Sequence, residues 1–231
     1  MDMGKIHFYE KTTDSLRLGI LLAIVGGYLD AYTYIGRDVF ANAQTGNIVL
    51  LGIYAAQGRW MQAMLVVPPI LAFVLGVLAA ESIKTLDARG LIHDWAQGVL
   101  FLEIIILVIV GFIPASAPNL LVTVTISFIA SVQVSSFRTL IDTPYCSTMC
   151  TGNLRTASKC LYMAVTKRDR LEAQRASWLL IIIASFLVGA VAGSFLTERF
   201  SEKSVWIAAL ILLASLGMLA LEERKTKRAS R

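Results

Sequence analysis

Six long apolar runs dominate this 231-residue sequence and limit what it can fold into. They lie near residues 16–36, 61–80, 97–113, 118–140, 176–196 and 205–221. An α-helix needs about 20 apolar residues to cross a hydrocarbon layer about 30 Å thick. Only 16% of the residues are charged, against about 25% in a typical soluble domain. The runs therefore predict an all-α, polytopic membrane protein whose apolar surface faces lipid.

Basic residues exceed acidic ones by 21 to 16, and most of them lie at the ends of the apolar runs. That placement is typical of cytoplasmic loops under the positive-inside rule, and it argues against nucleic-acid binding. The three cysteines are crowded into one segment far from both histidines, so no disulfide framework or metal site is predicted. The motifs of serine hydrolases, zinc proteases and phosphate loops are absent from the sequence, so we expect neither an enzyme nor a cofactor.

An internal repeat divides the chain into two halves. Thr45-Gly46-Asn47 recurs as Thr151-Gly152-Asn153, and the next apolar run of each half carries a matching Phe-x-x-Gly-x-x-Ala pattern, which starts at Phe73 and at Phe186. Each tripeptide opens a short segment, 45–57 or 151–166, that follows the first run of its half. We therefore predict a first transmembrane repeat over 1–115 and a second over 116–231, which ends in a basic cytoplasmic tail.

The two short segments decide how the halves face each other. If they do not cross the membrane, each half has three spans and the second half is inverted; if they cross, the halves are parallel. Three spans in each half place 17 basic residues and both termini in the cytoplasm and leave four basic residues outside. Four spans in each half would bury Arg155 and Lys159 within a span. A helix over 45–57 would also be only about 20 Å long. We therefore favour six spans as two inverted three-helix repeats, each with a short broken or re-entrant helix.

The paired tripeptides are the strongest candidates for a functional site. Thr can cap a helix start, Gly lets another backbone or a solute approach, and Asn can hydrogen-bond. Two such starts entering from opposite faces would point their partial positive ends at a common point, which suits an anion or a small polar solute. Alternatively, Gly and Thr only allow tight helix packing and Asn joins helices. The candidates are Thr45, Gly46, Asn47, Thr151, Gly152 and Asn153.

Asp30 lies near the middle of the first apolar run, just after two glycines. Ionisable groups at such depth usually face a cavity or a partner and are functional candidates. Asp30 could bind a cation or carry a proton, with Arg37 and Arg138 as its candidate charge partners. Alternatively, it caps a helix that is broken at the glycines.

Three further polar residues lie in or beside the apolar runs. Gln44 precedes the first tripeptide and Gln133 lies inside a later run, so both could hydrogen-bond a solute or simply join helices. Glu103 is only six residues into its run. We therefore expect its side chain to reach the membrane interface.

Two parts of the sequence resemble a known family. The segments 27–31, 39–41 and 45–52 are similar to the opening signature of the YoaK-like family of small bacterial membrane proteins, a family of unknown function. The resemblance extends over essentially the whole chain, and 145–153 matches a related Thr-Gly stretch. It implies six spans and a bacterial inner-membrane location, but no substrate. The family tends to have Gln-Asn-Ala where this chain has Gln-Val-Ser at 133–135.

These features together predict a permease or channel for a small polar or anionic solute. The alternative is a membrane scaffold or accessory subunit in which the repeated motifs only pack helices. The expected partners are the lipid bilayer and a small solute, and the pattern leaves room for a homo-oligomer.

Overall fold

The computed structural model describes residues 12–37, 39–88 and 95–229. Within these ranges the chain forms nine α-helices, so the all-α class is confirmed. The helices are α1 Leu16–Arg37, α2 Gln44–Ala56, α3 Trp60–Leu65, α4 Val67–Ala88, α5 Trp95–Val110, α6 Asn119–Ser136, α7 Cys150–Lys167, α8 Arg170–Phe200 and α9 Val205–Ala229. A two-residue antiparallel pair, β1 Thr139–Leu140 with β2 Thr143–Pro144, separates α6 from α7.

Proline and left-handed backbone set two of the helix ends. The predicted run 61–80 is divided between α3 and α4 at Val66, and two prolines follow in the first turn of α4, where a missing N–H costs least. The predicted run 118–140 stops at Ser136 as a helix. There the chain turns into the β1–β2 hairpin, in which Ile141 and Asp142 have positive φ angles of 44° and 63°.

Four stretches are long and apolar enough to cross a membrane by length and composition. They are Leu16–Arg37, Trp60–Leu86, Asn119–Ser136 and Arg170–Leu221, of which the last contains both α8 and α9. The helix α5 is apolar but shorter. The predicted membrane character therefore rests on helices that the structure contains, while the number of spans stays a prediction.

The helices α1 and α6 form the inside of the bundle, and α4 and α8 form part of its outside. The inner helices bury side chains on several faces, including the polar residues Ser127, Ser131 and Gln133 of α6. The outer helices expose large apolar side chains, such as Leu75 in α4 and Phe195 in α8. Polar side chains are thus held in the interior and apolar ones cover the surface, as expected for a protein in lipid.

Glycines let the two halves of the chain interlock. A Cβ atom added at Gly189 of α8 would meet the carbonyl of Ile24 in α1, and one added at Gly76 of α4 would meet the carbonyl of Phe128 in α6. Gly76 and Gly189 are the glycines of the predicted repeat, so the same position makes the same kind of contact in both halves. Close helix approach through small residues is typical of membrane bundles.

The helices that start the two halves run in opposite directions. Arg37, at the end of α1, donates a hydrogen bond to the side chain of Asn119 at the start of α6. Gln133, near the end of α6, donates one to the carbonyl of Leu22 near the start of α1. The two contacts run in opposite order along the helices, which makes α1 and α6 antiparallel.

Candidate functional site

The segment before α2 is fastened to one face of α1 beside Asp30. The backbone N–H of Asn42 donates to Asp30 Oδ1 over 3.2 Å, and the Asn42 side chain donates to the carbonyl of Gly26 over 3.4 Å. The next backbone N–H towards the N-terminus, that of Ala41, donates to the Thr33 hydroxyl over 3.2 Å. Because this segment lacks regular structure, these bonds to α1 satisfy its buried backbone groups.

The segment before α7 reaches the same face of α1 from the other side. Gln133 of α6 donates to both the Leu22 carbonyl, over 3.4 Å, and the Ser147 hydroxyl, over 2.8 Å. The backbone of Ser147 lies so close to Gly26 that an added Cβ would come within 2.6 Å of its carbonyl oxygen. Gly26 is therefore the point of α1 at which both segments meet, and only glycine fits there.

Asp30 lies next to the starts of both short helices. Its carboxyl accepts the Asn42 N–H just before α2. The segment that leads into α7 lies against Gly26, one turn before Asp30 on the same helix, which brings the start of α7 near Asp30. Since a helix start carries a partial positive charge, the Asp30 carboxyl is the natural counter-charge for both.

Neither of the two arginines proposed as charge partners of Asp30 is found in an ion pair with it. Arg37 is buried and donates through one nitrogen to the Ala117 carbonyl, over 3.2 Å, and to Asn119, over 3.0 Å. Arg138 is exposed. The ion pairs found among the described residues, Lys84–Glu81 and Arg175–Glu172, do not include Asp30. In the same residues no cluster of His, Cys, Asp or Glu is suited to a metal ion.

Both tripeptides lie inside the first turn of their helix rather than at its cap. The cap residues are Ala43 and Met149, and neither makes a side-chain cap bond. The expectation that threonine caps these helices is therefore wrong, since each helix begins one residue before it. Thr45 and Thr151 are each the second helical residue, and both are exposed.

The glycines of the two tripeptides face open space. Within the described residues, a Cβ added at Gly46 or at Gly152 would have no neighbour within 4 Å. Neither the approach of another backbone nor tight helix packing is therefore seen at these glycines within the described part of the chain. What remains for both positions is an approach from outside the chain, by a solute, a lipid or another molecule.

The two asparagines occupy the same helical position but make different bonds. Asn47 donates to the Gln44 side chain over 2.9 Å, and Gln44 in turn donates to the Ser127 hydroxyl of α6 over 2.7 Å. Asn153 accepts from the Cys146 N–H over 2.9 Å and donates to the Cys146 carbonyl over 2.7 Å. The first asparagine joins a chain of side chains, and the second fastens a loop.

A cavity of about 400 Å³ lies beside Asn47. Its wall includes Asn47, Gln62 and Asn119, which have amide side chains, together with Tyr54 and Thr123, which have hydroxyls. The rest of the wall is mostly apolar, from residues such as Leu65, Pro69 and Leu120. A cavity that combines apolar walls with a few polar groups is typical of a small-molecule site.

Two buried residues of interest were not in the predicted site. Asn42 is 1% exposed, and its side-chain oxygen has no partner among the described residues. Glu103 does not reach the interface as expected; it is 2% exposed and lies in the middle of α5. Its spacing from Leu100 and Leu107, which share one helix face with it, is the sequence signal for this burial.

The model of a family described as protein of unknown function (DUF1275) matches residues 18–218. This range includes both tripeptides, Asp30 and the loops that meet on α1. The chain belongs to the DUF1275 family. Comparisons with curated proteins and with solved structures found no match. Because the description of DUF1275 names no activity, a function for this member has to be argued from its geometry.

Proposed function

We propose that this chain is a permease or channel for a small polar solute in the bacterial inner membrane, and that it is not an enzyme. The observation that carries the proposal is the position of Asp30, beside the starts of two short helices that belong to different halves of the chain. Interrupted helices whose starts meet inside the bundle commonly form the solute site of transporters. The resemblance to YoaK-like proteins is compatible with this function but adds no substrate.

Six spans in two inverted repeats are the arrangement that we propose for this function. The antiparallel course of α1 and α6 supports it, because these are the first helices of the two halves. The 13 residues of α2 are too few to cross a bilayer, which supports an even split into three spans each. We place both termini in the cytoplasm. The N-terminal lysines used for that orientation lie outside the described residues.

The solute that fits best is neutral and forms hydrogen bonds. The Asp30 carboxyl already accepts a hydrogen bond at the start of α2, so an acidic group rather than a free anion occupies the space in front of that helix. The neighbouring cavity offers amides that both donate and accept. We therefore narrow the predicted class from a polar or anionic solute to a polar, uncharged one.

One observation favours the scaffold alternative. Asn153 uses both its amide oxygen and its amide nitrogen to hold the backbone of Cys146, so the sequence motif has a structural role at this position. If Asn47 has a purely structural role as well, the motifs fold the chain without binding anything. Thr45, Gly46, Thr151 and Gly152 would then present an exposed surface to a partner protein.

Solute flux into liposomes tests the proposal. Purified protein is reconstituted, and stopped-flow light scattering follows swelling under inward gradients of urea and of glycerol. We expect faster swelling than in protein-free liposomes with at least one probe, and loss of that difference in Asn47→Ala and Asp30→Asn. The matched controls are Gln174→Ala and Asp142→Asn, which change an exposed amide and an exposed carboxyl.

The outcomes separate the two functions. Swelling that is as fast in Asn47→Ala and Asp30→Asn as in the wild type would show that the site is elsewhere. Swelling that equals the protein-free rate with both probes would favour the scaffold. Independently of flux, a reporter fused after residue 90 is expected in the cytoplasm for three spans per half and outside for four.

A further inference from the structure

Glu103 is a carboxyl group buried at the centre of α5. It is the ninth of the 16 residues of this helix, and only 2% of its surface is exposed. Neither of its carboxyl oxygens has a hydrogen-bond partner among the described residues. The candidate solute site described above does not include this residue, so its position needs an explanation of its own.

Among the side chains that the structure describes, the helices packed against α5 provide no charged group that could neutralise a charge there. The helix α6 and the part of α9 up to residue 221 contain no charged side chain. Four hydroxyls of α6 donate to backbone carbonyls, as does that of Ser215 in α9. In α4, the nearest charged groups whose side chains are described are Glu81 and Lys84, which pair with each other.

Glu103 also lies too far from the helix ends to reach water along the interface. Trp206, the second residue of α9, donates to the carbonyl of Val108 over 3.1 Å, near the end of α5. The helix α9 therefore starts where α5 ends, and the two run antiparallel. Glu103 lies more than a turn before this contact, at the depth of the fully buried Leu212 rather than at the rim.

The proton is the ion that fits this environment. An ionised carboxylate without a donor or a cation costs several kcal/mol in a protein interior, so the neutral acid is the stable form there. A metal cation such as Ca²⁺ needs about six or more oxygen ligands, and one carboxyl cannot supply them. Ionisable residues kept inside membrane bundles at this cost usually have a function.

We propose that Glu103 is a proton-binding site inside the membrane, which holds its proton between α5, α6 and α9 and exchanges it with water when these helices separate. Such a site lets a membrane protein couple a movement of α5 to the proton gradient. The proposal stands whether the chain is a permease or a scaffold, because it depends on neither the tripeptides nor Asp30. The flux experiments above and the test below can therefore fail independently.

Infrared difference spectroscopy of the full-length protein in liposomes tests the proposal. The carbonyl stretch of a protonated carboxylic acid is separate from that of a carboxylate. Wild type minus Glu103→Gln at neutral pH is expected to show one protonated-acid band. In D₂O this band is expected to shift over a time at least about tenfold longer than the mixing of the sample, because helix opening limits exchange. In the unfolded chain at the same pH the band is expected to be replaced by carboxylate bands, since a free glutamate is ionised there. The matched control, Glu198→Gln, removes an exposed carboxyl and is expected to show carboxylate bands.

Two spectral results would overturn the proposal. Carboxylate bands in the Glu103→Gln difference spectrum at neutral pH would show that the group is ionised. A protonated-acid band that never shifts in D₂O, in protein that stays folded, would show that the proton is trapped and that Glu103 is only structural.

A chemical label covers the case in which Glu103→Gln does not fold. Dicyclohexylcarbodiimide is apolar and reacts with protonated carboxyls. The acid adds across one C=N bond and its proton moves to nitrogen, so no group leaves. In wild-type protein we expect the adduct on the peptide with Glu103, whereas a water-soluble carbodiimide should label Glu198 instead. Absence of the Glu103 adduct after prolonged incubation would contradict exchange, and labelling of Glu103 by the water-soluble reagent would contradict its burial.

Discussion

The helices α2 and α7 carry the same tripeptide in the same register of their first turn, yet the side chains there make different contacts. Asn47 and Asn153 are both the fourth residue of their helix, and both are buried. Hydrogen bonds link the side chain of Asn47 through Gln44 to α6, and Asn47 also borders the cavity. Asn153 instead bonds to the backbone of Cys146. The same motif therefore belongs to a side-chain hydrogen-bond network in α2 and holds the preceding loop in α7.

The segments that precede the two helices explain this difference. The first, 38–43, is short, and Asn42 and Ala41 fasten it directly to α1. The second, 137–149, is longer and contains the β1–β2 hairpin, so its end needs a fixed point on α7 itself. Asn153 supplies that point. A repeated motif thus keeps its position in the helix, while the hydrogen-bond partners of its asparagine depend on the loop that precedes the helix.

Replacing Asn153 should have the largest effect on stability. Asn153→Ala leaves the N–H and the carbonyl of Cys146 without partners, which is expected to lower the free energy of unfolding by roughly 2–4 kcal/mol. Denaturant unfolding in detergent measures the change. Maleimide labelling of Cys146 should also become faster, because the loop loosens. An unfolding curve equal to that of the wild type would mean that Asn153 does not hold the loop.

The second-largest loss of stability is expected from replacing a glycine at a contact between helices, because these glycines position the helices against which α2 and α7 pack. Gly189→Ala puts a methyl group against the Ile24 carbonyl, and overpacking of this kind costs about 1–3 kcal/mol. Gly98→Ala is the matched control, because nothing lies within 4 Å of its added Cβ. Unfolding in detergent of both variants gives the comparison. Equal stability of the two would show that α1 and α8 separate easily.

Replacing Asn47 should cost less stability than replacing Asn153, but more function. Asn47→Ala removes one side-chain hydrogen bond, to Gln44, which is worth about 0.5–1.5 kcal/mol. The same unfolding assay measures this loss, and liposome swelling measures the loss of flux. If folded Asn153→Ala protein loses flux and Asn47→Ala protein keeps it, the solute site would lie at the start of α7 rather than at the start of α2.

The smallest effect is expected at the tripeptide glycines. Gly46→Ala and Gly152→Ala add a methyl group in open space, so helix propensity alone should raise stability by up to about 1 kcal/mol. Thermal unfolding of the two variants in detergent tests this. A clear loss of stability in either would show that another molecule, such as a second copy of the chain, packs on that glycine.

The sequence predicted the helices better than the contacts between them. Each apolar run overlaps a helix, although the run 61–80 is divided between α3 and α4 and the run 118–140 ends in the hairpin, and the short segment predicted at 45–57 is α2 within one residue. The hairpin at Ile141 and Asp142 was not predicted, since two-residue strands leave little pattern. The depth of Glu103 was also misjudged, because its run was taken to begin at 97 whereas the helix begins at Trp95.

The sequence by itself determined that this chain is an all-α protein with membrane-length apolar helices and a tripeptide that occurs twice, because hydropathy and spacing act locally along the chain. Only the tertiary structure decided which polar groups meet. It brought Asn42 to Asp30, Ser147 to Gly26 and Asn153 to Cys146, and within the described residues it left Glu103 without a partner. Hydrogen bonds depend on distances of a few ångström between helices, and those distances are set by how the whole bundle packs rather than by any one segment.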